Sequence, residues 1–291
     1  MSEKAGVGVI GLGSMGLGMA RTLAAKGFKV KGFDLAPARR DLAAEGGVHP
    51  AQTIAEAFRD VSFVVFSLPT ASDVETVVTQ HADLLGGEGR IVIIDTSTSE
   101  PDVSRALAEK LDLAGHGFLD APVSGGPAGA ASGTLTMMIG GKDGDLALAR
   151  PVIEALSSKI LHVGPSGAGN VAKLVNNMLA AAHMVTTGEG LKLALAAGID
   201  PEAALRVVNA ASGRSMISEV HFPTWVMSNR FDSGFSMGLM RKDVRLAHEL
   251  AQSTGAVTPL SDLVAKLWGE GSEELSDQDD FTRMGAFRAD R

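Results

Sequence analysis

The residues Val9-Ile10-Gly11-Leu12-Gly13-Ser14-Met15-Gly16 decide the fold. An apolar run from Gly6 to Ile10 ends in G-x-G-x-x-G, and a helix-forming stretch, Met15 to Ala25, follows at once. Each glycine has a mechanical reason. Gly11 permits the tight turn, Gly13 lets a pyrophosphate approach the backbone, and Gly16 allows helix and strand to pack closely. The free N–H groups and dipole of the helix N-terminus then favour an anion. Leu12, Ser14 and Met15 fill the turn between the glycines. A lone G-x-G-x-x-G also serves as a structural turn, but a strand before it and a helix after it point to a dinucleotide. Asp34, 18 residues after Gly16 at the end of the next apolar run, adds to that. A carboxylate there accepts both ribose hydroxyls and repels a 2′-phosphate, which favours NAD and makes NADP the weaker choice. The same residue could instead cap the following helix, and Arg39 or Arg40 could reach a phosphate.

Outward from this turn, short apolar runs alternate with helical stretches. Strands are predicted at Gly6–Ile10, Lys29–Phe33, Ser62–Ser67, Arg90–Asp95, Gly117–Ala121, Leu135–Ile139 and Lys159–Val163. Helices are predicted at Met15–Ala25, Ala36–Glu45 and Pro101–Leu111. That alternation predicts right-handed crossovers and a mostly parallel, doubly wound α/β sheet of Rossmann type, with the strands from Gly117 onward free to run either way. After Gly164 the character changes. A Pro-free, Ala/Leu/Met/Val-rich stretch runs from Gly167 to Ala197, long enough for one helix of about 45 Å. Pro201 then suits the first turn of another helix, and helical material continues to about Trp268. The expected organisation is a dinucleotide-binding domain at 1–164 and an all-α domain at 165–291, entered by the long interdomain helix. Glu270–Asp280 is acidic and reads as a loop.

Composition excludes several classes. The chain of 291 residues is 45% hydrophobic and 21% charged, with no run of 18 apolar residues. A disordered or membrane-spanning chain is therefore not expected. There is no Cys and no Tyr, so thiol nucleophiles, Cys zinc sites and phenol proton donors are ruled out. The 26 basic and 34 acidic residues give a charge of −8, a poor match to nucleic acid or an anionic membrane. The start, Met1-Ser2-Glu3-Lys4, shows neither a signal core nor an Arg-rich leader, so a cytoplasmic location is expected. The 7 His residues are scattered, and no metal is expected. His183 lies about 280° around the long helix from Lys173 and reads as structural. Glycine is over-represented, with 35 residues against about 20 at the average usage of about 7%.

Two further clusters carry chemistry. Lys173 and Asn177 are four apart on the long helix and share a face, among Val171, Leu174, Val175, Met178 and Leu179. Burial lowers a lysine's pKa toward the working range of a general acid/base, although a lysine at a helix start can also snorkel to water. Asp120-Ala121-Pro122-Val123-Ser124-Gly125-Gly126-Pro127 ends a strand with a hydroxyl and two glycines. Their N–H groups could form a carboxylate nest or an ordinary turn.

At these residues the chain resembles the β-hydroxyacid dehydrogenase family over nearly its whole length. Gly11 to Gly16 with Met19-Ala20 resembles the family's N-terminal signature, with Thr22 where an Asn is usual. Asp120 to Gly126 matches D-A-P-V-S-G-G, and Gly164, Gly167, Gly169, Lys173 and Asn177 match G-x-x-G-x-G-x-x-x-K-x-x-x-N. Leu239 to Asp243 resembles the later K-D motif, although Val244-Arg245 replaces the commoner Leu-Gly.

The resemblance implies that Lys173 carries the hydroxyl proton and that Asn177 orients the reacting oxygen. It implies that Ser124, Gly125 and Gly126 hold a substrate carboxylate, and that Leu68 and Pro69 lie beside the adenosine. It places Thr98 near the nicotinamide ribose and lets Lys242 reach toward the cofactor. It further implies an NAD-dependent oxidoreductase, a homodimer or homotetramer, and a site in the cleft between domains. The implied substrate is a small 3-hydroxycarboxylate, 3-hydroxyisobutyrate-like as first choice, with L-threonate or tartronate semialdehyde as alternatives. The segment Asn209 to Ser215 resembles 3-hydroxyisobutyrate dehydrogenases, although Met216 stands where a Trp often follows. Arg214 is either a second carboxylate ligand or a solvated helix-end residue. The 6-phosphogluconate relatives have His where this chain has Asn176, and acidic and aromatic residues where it has Ala180–Ala182. An imine reductase or a non-catalytic dinucleotide-binding protein are the readings from other classes.

Overall fold

A computed structural model describes residues 5–81, 89–270 and 275–286. The expected leaderless start at 1–4 and part of the acidic tail, 271–274, lie outside the described residues. The chain divides into two compact units, Met1–Lys173 and Leu174–Arg291.

The first unit is built on β1 (Gly6–Ile10), β2 (Lys29–Phe33), β3 (His49–Pro50), β4 (Phe63–Phe66), β5 (Val92–Asp95) and β6 (Gly117–Asp120). These pair in parallel in the order β3-β2-β1-β4-β5-β6. Beyond β6 the direction changes. β8 (Leu135–Gly140) runs antiparallel to β6 and to the short β7 (Val123–Ser124), while β9 (Ser157–Gly164) runs parallel to β8. The two-residue strands β3 and β7 were not among the expected ones, because two residues carry no periodicity to read.

Sequence explains the layers. β4 (Phe63-Val64-Val65-Phe66) is a continuous apolar run and β5 is apolar up to Asp95; both are wholly buried, as parallel strands covered on both faces must be. Helices α1 (Ser14–Ala25), α2 (Pro37–Glu45), α3 (Ile54–Phe58), α4 (Ala71–Gln80) and α5 (Pro101–Leu113) follow the strands, with α6 (Gly126–Ser132) and α7 (Asp143–Leu156) beyond. One core, around Val9, Leu12, Leu23, Val65 and Ile94, lies on one face; Ile10, Phe66, Ile93 and Leu111 form the other. Each such side chain is worth roughly 1.5–3 kcal/mol on burial.

The long helix forms as α8 (Ala168–Ala196). The compact units part in its second turn, after Lys173, and its first turn is bonded into the sheet (below). The second unit continues with α9 (Pro201–Ala210), a π-helical turn at Ile217–Val226, α10 (Met237–Thr254) and α11 (Pro259–Glu270). Asp200 caps α9 through Ala203 N–H, and Pro201 sits in its first turn, as expected. The core of this unit gathers Met184, Leu191, Phe222, Phe281 and Trp268, whose indole Nε1 donates to Ala181 O at 3.3 Å. Among the described residues, no helix is long and apolar enough to cross a membrane.

Candidate active site

The glycine turn is shaped for a ligand rather than only for a bend. Gly11 has φ +89°, and a Cβ on Gly16 would lie 1.8 Å from Gly11 O, so Gly16 is required for the helix to pack against the turn. At Gly13 an added Cβ meets nothing within 4 Å. Helix packing therefore does not require Gly13, whereas a phosphate seated there would. α1 begins at Ser14 with Gly13 as N-cap and no side-chain cap, which leaves its first N–H groups for an anion.

Leu12 has its side chain fully buried, and its N–H donates to Asp34 Oδ2 at 2.8 Å. Asp34 Oδ1 accepts from Ala36 N–H at 2.9 Å. The carboxylate thus braces the turn and starts the next helix, and its remaining lone pairs stay available at the end of β2. Arg40 donates to the Asp34 carbonyl oxygen at 2.7 Å and lies over the Phe33 ring. Arg39 is exposed. These residues fit a dinucleotide with an unphosphorylated adenosine ribose.

The loops after β4 and β5 are stitched together. Leu68 N–H donates to Ser97 Oγ at 3.0 Å, Thr96 Oγ1 donates to Phe66 O at 2.6 Å, and Ser97 N–H donates to Asp95 Oδ1 at 2.9 Å. Pro69 is exposed and Thr98 half-buried beside this stitching. Both loops leave the carboxyl ends of their strands, β4 beside β1 and β5 beside β4; the strand order reverses between β1 and β4, where open α/β sheets bind ligands.

Ser124 is half-buried at the end of β7, while Gly125 (φ +125°) and Gly126 (φ +61°) are exposed in conformations that favour glycine. Thr22 occupies the position of the unusual residue in the N-terminal motif. Its buried hydroxyl donates to Ala130 O at 2.8 Å, with Ala131 O at 3.0 Å, joining α1 to α6. A hydroxyl therefore supplies a bond between these two helices at the position where an asparagine is usual.

Lys173 is 8% exposed and Asn177 is 5% exposed. Their surroundings are less uniformly apolar than the sequence implies. Leu174 and Met178 are buried, but Val175 and Leu179 are each 54% exposed on the opposite side of the helix. Two roles were not assigned from sequence. Asp120 caps α8 from a distance: Oδ1 accepts from Gly167 N–H at 2.8 Å and Oδ2 from Asn170 N–H at 3.0 Å. Burial pushes its carboxyl above the usual range, against the lowering effect of those N–H groups. In the second unit, Asp243 Oδ2 accepts from Asn177 Nδ2 at 2.6 Å, and Asn176 Nδ2 donates to Asn177 Oδ1 at 3.1 Å. Lys242 Nζ lies 3.6 Å from Asp243 Oδ1. The adjacent Lys and Asp of the later motif were the available signal for Asp243. Arg214 is exposed and lies 3.8 Å from Glu219.

The uncapped glycine turn and the carboxylate at the end of β2 have the form of a dinucleotide site, and Lys173 is buried near the start of α8. Comparison with known proteins narrows this. Residues 6–164 match the NAD-binding domain of 6-phosphogluconate dehydrogenase, and 167–287 match the NAD-binding domain of NADP-dependent 3-hydroxyisobutyrate dehydrogenase. The chain is 35% identical to mouse mitochondrial 3-hydroxyisobutyrate dehydrogenase, covering 92% of this chain and 82% of that one. It is 37% identical to an NAD-dependent L-serine dehydrogenase of Pseudomonas aeruginosa, covering 90% of each. The structure of Mycobacterium tuberculosis 3-hydroxyisobutyrate dehydrogenase with L-serine superposes with a TM-score of 0.89 at 34% identity, covering 97% of this chain and 98% of that one. The chain belongs to the β-hydroxyacid dehydrogenase family and is an NAD-dependent oxidoreductase of that family.

Proposed function

We propose that this enzyme interconverts a small 3-hydroxycarboxylate and its 3-oxo acid, with 3-hydroxyisobutyrate the first choice and L-serine-like acids within range. The observation that carries the reading is the buried Lys173 on a helix whose first turn is held by the aspartate of the D-A-P-V-S-G-G segment. L-Threonate and tartronate semialdehyde remain the alternative substrates.

The residues divide the work. Gly11, Gly13, Gly16 and the N–H groups of Ser14 and Met15 hold the pyrophosphate, and Asp34 accepts the adenosine ribose hydroxyls. Leu68 and Pro69 flank the adenosine, and Thr98 and Lys242 reach toward the nicotinamide half. Ser124 Oγ with the Gly125 and Gly126 N–H groups receives the substrate carboxylate, with Arg214 a second candidate for that charge. NAD, when bound, supplies the hydride acceptor for oxidation and the donor in the reverse direction. Lys173 Nζ takes the hydroxyl proton during oxidation and returns it to the carbonyl oxygen during reduction. Asn177 holds the reacting oxygen in line with that nitrogen, an orienting effect that shortens the search for a reactive geometry. Residues 1–164 form the dinucleotide-binding part, and 165–291 complete the substrate site and the oligomer, a homodimer or homotetramer in the cytoplasm.

The test is Lys173→Ala, assayed by NAD reduction over 3-hydroxyisobutyrate, L-threonate, D-glycerate and L-serine. Turnover is expected to fall by at least about two orders of magnitude, with NAD affinity largely kept. Near-parental turnover, or activity on imines and on none of these acids, overturns the assignment.

A further inference from the structure

The first turn of α8 carries a buried side chain that the proton-transfer scheme does not use. Asn170 is 0% exposed and makes three hydrogen bonds to three separate segments. Its N–H donates to Asp120 Oδ2 at 3.0 Å, at the end of β6. Its Oδ1 accepts from Ser99 N–H at 3.0 Å, in the loop after β5, and its Nδ2 donates to Ser104 Oγ at 2.9 Å, on α5. Ser99 Oγ is buried with no hydrogen-bond partner among the described residues, and its backbone N–H is the group that binds Asn170. The chain of bonds continues through the same loop: Ser97 holds Leu68 N–H, and Asp95 holds Ser97 N–H. Asn170 is therefore the point at which the ligand-facing loops after β4 and β5 meet the helix that carries Lys173 one turn later. The close fit leaves little freedom. A Cβ on neighbouring Gly169 would lie 2.4 Å from Asp120 O and 2.6 Å from Met138 O.

We propose that Asn170 is a positioning residue for the reaction. By fixing the Ser97–Ser99 segment to the start of α8, it sets the distance between the nicotinamide end of the dinucleotide crevice and the Lys173 ammonium. The inference rests on Lys173 as the acid/base group. The chemistry depends on that spacing more than the affinity does, because the glycine turn and Asp34 hold the other end of the dinucleotide and are not bonded to Asn170.

The experiment compares Asn170→Ala with Val152→Ala, a cavity in the buried core of the same unit, and with Lys173→Ala. Each is measured for kcat, KM for the hydroxy acid oxidised fastest, NAD dissociation constant and Tm. Asn170→Ala is expected to lose about tenfold or more in kcat, since small misplacements of reacting groups are costly. Its NAD dissociation constant should move by no more than a few-fold, whereas Val152→Ala loses Tm alone. Should Asn170→Ala fail to fold, Asn170→Gln keeps the amide one methylene further out and carries the same expectation. If Asn170→Ala, like Val152→Ala, loses only Tm, the residue is structural and the proposal is overturned. If Lys173→Ala is inactive while Asn170→Ala turns over normally, this proposal fails and the function reading stands. Parental turnover in Lys173→Ala removes both.

Discussion

Asn177 on α8 and Asp243 on α10 are joined by a 2.6 Å hydrogen bond, amide Nδ2 to carboxylate Oδ2, between two side chains that are both buried. Asn176 fixes the other end of the same amide. The orientation of Asn177 is therefore set by its neighbours before any substrate arrives. Asp243→Ala is expected to lower kcat by about ten- to a hundredfold, because a hydrogen bond to a charged group is worth roughly 1.5–3 kcal/mol and the amide loses its fixed direction. Asp243→Asn keeps an acceptor and should retain more activity. Steady-state kinetics on both variants checks this, and parental turnover in Asp243→Ala would show that the bond has no part in catalysis.

Asp34 has two tasks, and removing it should show both. Asp34→Ala is expected to narrow the NAD:NADP ratio of kcat/KM by at least about tenfold, because the repulsion of a 2′-phosphate is gone. It should also weaken NAD binding, since Leu12 N–H loses its acceptor. Arg40 is tied to the Asp34 carbonyl and stays in place to meet a phosphate. Equal activity of the parent enzyme with NADP contradicts this account.

The glycines of the turn should separate by mechanism. Gly16→Ala drives a Cβ into Gly11 O and is expected to cost stability, about 1–3 kcal/mol or more as overpacking. Gly13→Ala meets open space in the protein, so its Tm should stay near the parent's while its NAD dissociation constant rises at least about tenfold, the fold-change expected when roughly 1.4 kcal/mol of binding is lost. Thermal melts with and without NAD distinguish the two. Equal loss of Tm in both variants counts against a phosphate at Gly13.

Asp120 supplies a pH signature. Burial raises its carboxyl above the ordinary carboxylate range. A group whose folded pKa is raised favours the folded state below its unfolded pKa, and that contribution is lost as pH climbs through the folded pKa. The stability of the parent relative to Asp120→Asn should therefore shrink as pH rises from about 4. Urea unfolding at several pH values between acid and neutral follows the difference. A gap that widens with pH would mean that the Gly167 and Asn170 N–H groups outweigh burial.

What sequence revealed here was local, and what it hid was long-range. Gly11, Gly13 and Gly16 stand between a strand and a helix within one short window, and Lys173 and Asn177 share a helical face by spacing alone. Asp120 reaches α8 across a separation of 47 and 50 residues, and Asp243 reaches Asn177 across 66. No periodicity records a contact at that distance. Asn170 was hidden for a further reason. On the helix it reads as one polar residue near a glycine-rich start, and its importance lies in three partners from β6, the β5 loop and α5. Composition changes at Gly164, and the compact first unit runs on to Lys173.

Trp268, sealed in the helical core, and Trp225, on the π-helical turn, are the two tryptophans of the chain, and there is no Tyr. Both lie in the second unit. Intrinsic tryptophan emission is thus a private reporter of the helical unit, and the Rossmann unit, with only phenylalanine, is silent at that wavelength. Circular dichroism in the far ultraviolet sees both. The two signals coincide on denaturation only if the units unfold as one cooperative body. A gap between the two curves reads out, without any label, how independently the nucleotide-binding half folds.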